Sequence, residues 1–125
     1  MNIILCTDLL FSTKITGTAK ALSQPFIVVR SLEKLQAALT KSPAATFIVD
    51  LGTTLIDPIA AITAAKAQSA TVKIVAFVSH VDVERATAAR TAGADRVMAR
   101  SGFVNELPTI VSAGSAAPGD AQPTN

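Results

Sequence analysis

Four residues able to do joint chemistry each stand at or just past the end of a short apolar run. Asp8 follows Ile3-Ile4-Leu5-Cys6 and Thr7, and Asp50 follows Phe47-Ile48-Val49. Ser79 follows the run from Val72 to Val78, and Arg100 follows Arg96-Val97-Met98-Ala99. Carboxylates hold hard divalent cations such as Mg²⁺ through oxygen. A carboxylate beside such an ion can attack a phosphoryl group. A hydroxyl and a cation can then hold the phosphate oxygens. His80 is the single histidine. Without a ligand cluster it makes no metal motif, and a solvated loop position is the expectation. Cys6 is the single cysteine, so no internal disulfide forms. Inside an apolar run it reads as a small buried hydrophobe.

These residues share one region only if the runs are parallel strands. The pattern supports that. Ile3 to Cys6, Phe26 to Val29, Phe47 to Val49, Val72 to Val78 and Arg96 to Ala99 are short and apolar, as in strands buried on both faces. Helical signals lie between them. Ser12 and Thr13 offer caps, followed by a stripe of Ile15, Ala19 and Leu22, weakened by Gly17. Pro25 breaks that unit. Ser31 caps a helix with Leu32, Leu35 and Leu39 on one face, and Glu33 suits its first turn. Pro43 ends it. Asp57-Pro58 opens a third helix that carries Ile59, Ile62 and Ala65 or Lys66. Asp82 caps a fourth, stopped by Gly93 in a left-handed conformation. A last helix is expected from about Phe103 to Val111, with Pro108 tolerable only near its first turn.

Five β–α units predict a three-layer α/β domain with a doubly wound parallel sheet. The flavodoxin-like strand order 2-1-3-4-5 is expected, and ligands then bind beyond the carboxyl ends of the strands. Residues 1–112 form this domain, and residues 113–125, rich in Gly, Ser, Ala and Pro, read as a disordered tail.

Composition narrows the function classes. The chain has 125 residues, half of them hydrophobic, with a net charge of +2, five Phe and neither Trp nor Tyr. No cluster of Lys or Arg marks a nucleic-acid or membrane patch, and base stacking has few aromatics to use. No leader or long apolar stretch is visible, so the cytoplasm is expected. A small flavodoxin-like enzyme or ligand-binding domain is the competing class. Its phosphate cradle calls for a Gly-, Ser- or Thr-rich loop after the first strand. Here that loop is Thr7-Asp8-Leu9-Leu10-Phe11, and no G-x-G-x-x-G or P-loop sequence occurs.

Ala92-Gly93-Ala94-Asp95, a short strand, a basic residue and Phe103, together with the spacing from Asp50 to Asp57-Pro58, resemble the receiver domain of two-component response regulators over residues 2–111. The resemblance implies a non-enzymatic, stand-alone signalling module that binds a histidine kinase or a downstream regulator. It implies homodimerisation through the fourth helix, fifth strand and fifth helix. It places Asp50 at the phosphoacceptor position, Asp8 in the acidic pair that binds Mg²⁺, Ser79 at the switching hydroxyl and Arg100 at the family's lysine. Thr7 departs from the pattern by replacing the second acid, and Val97 replaces the switch aromatic. Gly52-Thr53-Thr54-Leu55 lacks the usual Pro-Gly, and Ser101-Gly102 replaces the proline after the lysine. A weak or absent Mg²⁺ site at Asp8 and Asp50 is therefore expected. Three questions stay open: whether Asp50 accepts phosphate or only caps the next turn, whether Asp8 belongs to the site or is only a loop residue or the cap of the first helix, and whether Arg100 binds phosphate or pairs with Asp50 or Asp8.

Overall fold

The computed structural model describes residues 1–79 and 82–113. Strands β1 (Asn2–Leu5), β2 (Phe26–Val28), β3 (Thr46–Asp50), β4 (Lys73–Val78) and β5 (Arg96–Ala99) form one parallel sheet in the order 2-1-3-4-5. Helices α1 (Leu9–Ala21), α2 (Leu32–Lys41), α3 (Pro58–Gln68), α4 (Val83–Ala92) and α5 (Arg100–Ala113) connect and cover it. Helices α1 and α5 pack together on one face, and α2, α3 and α4 on the other. The expected architecture and strand order are therefore found.

Strand periodicity divides the core in two. Ile3, Leu5, Phe47, Val49, Ile74 and Ala76 face α2–α4. Ile4, Cys6, Ile48, Val75 and Phe77 face α1 and α5. Only the inner strands β1 and β3 are buried throughout; β2 and β5, at the edges, keep half-exposed or exposed positions.

Asp57 and Asp82 cap α3 and α4 through their side chains, and Ser31 caps α2, each at the expected place. The start of α1 differs. Asp8, not Ser12 or Thr13, is its N-cap, accepting from the Phe11 N–H at 3.1 Å. The helix therefore begins at Leu9, and Leu22 falls beyond its end, 41% exposed. Leu32 likewise stands at the exposed edge of its helix instead of in the buried stripe.

Helix α5 also starts earlier than expected, so Arg100 is its first residue. Pro108 lies well inside α5, against expectation. It is exposed, so the backbone hydrogen bond it forgoes is lost on the solvent side, where the cost is smallest. The helix reaches Ala113, one residue into the expected tail; residues 114–125 lie outside the described residues.

The Gly93–Asp95 turn is held by Lys66. Gly93 has φ +125°, and a Cβ there would sit 2.5 Å from Lys66 Cγ. Lys66 Nζ passes beneath, donating to the Val72 carbonyl at 2.9 Å and pairing with Asp95 Oδ2 at 3.3 Å. Asp95 Oδ2 also accepts from the Ile74 N–H at 2.7 Å. One lysine thus ties α3, β4 and the α4–β5 turn together.

Candidate functional site

The carboxyl ends of β1, β3, β4 and β5 lie at the same end of the sheet because all the strands are parallel. Asp50 closes β3 and is 4% exposed. Its pleat position matches Ile48, so it faces α1 and α5, opposite Phe77 in the register. Oδ1 accepts from the Gly52 N–H at 2.8 Å, so Asp50 does cap the following turn. Oδ2 lies 3.6 Å from Cys6 Sγ, which donates to it, and 4.0 Å from Arg100 Nη2.

Arg100 meets both aspartates. Its Nη1 lies 3.3 Å from Asp8 Oδ2, while Nη2 reaches toward Asp50. Phe11 fixes the height of the guanidinium, whose carbon lies 4.2 Å from that ring's centroid and 5.7 Å from that of Phe77. Phe11, Phe77 and Phe103 form the floor, with centroids 4.6–5.9 Å apart. Asp8 places Phe11 by capping the helix that carries it, so one carboxylate both starts α1 and receives Arg100. The Phe11 N–H and then Arg100 hold the Asp8 carboxyl below its ordinary value.

Cys6 is buried, as expected, and also has a polar role. Burial first, and the Asp50 charge second, push its thiol up to about 12. It therefore keeps its proton at neutral pH and donates it toward Asp50 or toward the Asp8 carbonyl, each 3.6 Å away.

Thr7, where the resemblance calls for an acid, turns to the loop after β3. Its hydroxyl is hydrogen bonded to the Thr53 hydroxyl and accepts from the Thr54 N–H at 3.3 Å. Ser79 lines a separate cavity of about 270 Å³ with Gly52, Thr53, Thr54 and Arg85. Arg85 of α4 crosses to this loop and donates to the Leu51 carbonyl at 2.5 Å. His80 lies outside the described residues.

Asp8, Asp50 and Arg100 are thus brought into one cluster, and Ser79 lies along the Gly52–Thr54 loop beside it. Cys6 and Phe11 were not singled out from sequence as partners of this cluster, nor Thr53 and Arg85 as holding the loop beside it. Cys6 was traceable from strand alternation, since it shares the Ile4 face. Phe11 was traceable once Asp8, three residues earlier, is taken as the cap. Nothing in the sequence pointed to Arg85, whose partner is a backbone carbonyl.

No protein-family model matches the chain, and no curated protein matches it. Solved structures do. The receiver domain of NtrX from Brucella abortus aligns with a TM-score of 0.75 at 14% identity, covering 91% of this chain and 97% of that one. A response regulator protein from Burkholderia pseudomallei, solved with a phosphorylated aspartic acid, calcium ion and citrate, aligns at TM-score 0.70 and 14% identity, covering 91% and 68%. The beryllofluoride-activated NtrC4 receiver domain dimer aligns at TM-score 0.72 and 11% identity, covering 90% and 97%. The chain has the receiver fold.

The resemblance noted in the sequence implies a divalent cation at Asp8 and Asp50. The residues present do not fit one. Hard cations take six or more oxygen ligands. Here Asp8 Oδ1 caps α1, Asp8 Oδ2 meets Arg100, and both Asp50 oxygens have donors or a cation beside them. Among the described residues, no group of three or more His, Cys, Asp or Glu is placed to hold a metal.

Proposed function

We propose that the chain is a receiver-like signalling module that acts through protein–protein contacts, with Asp50 held in an ion pair and not used as a Mg²⁺-dependent phosphoacceptor. The observation that carries this reading is Arg100 forked between Asp8 and Asp50 within a receiver fold. The sequence resemblance assigns Ser79 and Arg100 to phosphate-contacting positions, but Arg100 already has two carboxylates within 4.0 Å.

The partner is a protein of the histidine kinase or downstream-regulator type, or a second copy of the chain. The contact surface is α4, β5 and α5. Val83 on α4 is 72% exposed. Beside it Val78, Ala86, Val97, Met98 and Ala99, flanked by Asp82 and Arg90, line a groove of about 230 Å³. Val97 is too small to fill that groove, where the resemblance implies an aromatic.

Capture of partners from the source cell, by the wild-type chain and by Val83→Glu, with and without acetyl phosphate, tests the proposal. One partner retained by the wild type, lost by Val83→Glu and indifferent to acetyl phosphate is expected. A partner captured only after acetyl phosphate treatment, and lost in Asp50→Asn, would overturn it.

A further inference from the structure

We infer that the guanidinium of Arg100 is the built-in cation of the Asp8–Asp50 site and excludes a divalent ion from it. The inference rests on the ion-pair reading above and extends it to metal selectivity. Two carboxylates and one guanidinium sum to −1. A Mg²⁺ ion entering the same space would meet a fixed positive charge within a few ångströms, with no third carboxylate among the described residues to offset it. Thr7 offers only a hydroxyl, already tied to Thr53 and to the Thr54 N–H.

Arg100 cannot easily swing aside. Its side chain is 29% exposed and lies on the ring of Phe11. The guanidinium is part of the chain, whereas a bound metal ion comes and goes with its concentration.

The test is a Mg²⁺ titration followed by backbone NMR, at constant ionic strength, on wild type, Arg100→Gln and Arg100→Gln/Asp50→Asn. Gln keeps much of the stem that covers Phe11 while removing the charge. Wild type is expected to show no saturable shifts at Asp8, Asp50 or Gly52. Arg100→Gln is expected to bind Mg²⁺ at least about tenfold more tightly, a factor within what Coulomb's law gives for removing one like charge at this range. The added Asp50→Asn is expected to abolish that gain.

Saturable binding by wild type, as tight as by Arg100→Gln, would overturn the inference. So would the absence of any gain in a folded Arg100→Gln. If Arg100→Gln does not fold, Arg100→Met, which also keeps the stem and removes the charge, takes its place in the same comparison, and saturable wild-type binding as tight as the variant's overturns the inference either way. Partner capture that depends on acetyl phosphate would instead sink the functional proposal, so the two failures can be told apart.

Discussion

The Arg100 guanidinium carbon lies 4.2 Å from the centre of the Phe11 ring, and this stacking sets where its two nitrogens point. One arm meets Asp8, at the start of the same helix as Phe11; the other reaches Asp50 across the sheet end. The relationship is testable through stability. Phe11→Ala is expected to cost about 3–5 kcal/mol, as for a buried aromatic. Phe11→Leu keeps the bulk and is expected to cost about 1–3 kcal/mol through the lost ring contacts. A double-mutant cycle with Arg100→Gln, read by urea denaturation, should give a coupling of about 0.5–2 kcal/mol. Additive losses would mean that the stacking does not hold Arg100.

Cys6 should be inert while the chain is folded. It is 2% exposed and its thiol is pushed up to about 12. A thiol reagent at pH 8 should label it only as fast as the chain opens, and at once in denaturant. The same shift sets an alkaline limb. The folded state keeps the thiol protonated while the unfolded chain ionises near 9.0. This contribution is fully present below pH 9.0 and is lost as pH rises toward 12. Cys6→Ala should flatten that limb; an unchanged limb would contradict the assignment.

An acid limb runs the other way. The Phe11 N–H, and then Arg100, hold Asp8 below its ordinary 3.8, and Arg96 holds Glu106 below its ordinary 4.5. Both groups bind protons more readily when unfolded. Their stabilisation is present above those ordinary values and is lost as pH falls through the lower folded values. Asp8→Asn and Glu106→Gln should each reduce the loss of stability between about pH 5 and pH 2, measured by urea midpoints at stepped pH.

Gly93→Ala should destabilise by about 1–3 kcal/mol from backbone strain alone. The added methyl must also displace Lys66, since its place lies 2.5 Å from Lys66 Cγ. A Lys66→Ala background should recover part of the loss in urea midpoint. No recovery would mean that the strain is purely conformational.

Much of the fold was legible because its signals are local. Asp57-Pro58, Asp82 and Gly93 mark helix ends through their own backbones, and the alternation of Ile3, Ile4 and Leu5 follows from strand geometry. The start of α1 stayed open because Asp8, Ser12 and Thr13 all suit an N-cap and only tertiary packing chooses among them. Choosing Asp8 brings Phe11 beneath Arg100, so leaving the cap open also left the floor of the site open. Asp50, Asp8 and Arg100 could be named from their places at strand ends. Which partner Arg100 takes depends on distances across three elements, and spacing along the chain does not encode them.

The most direct test of the central claim is a titration of the wild-type chain with beryllofluoride and Mg²⁺, followed by backbone NMR. If Arg100 holds Asp50 and Asp8 closed, resonances of Asp50, Gly52, Ser79 and α4 should stay where they are. Saturable shifts at those residues, absent in Asp50→Asn, would show a working acceptor and contradict the account.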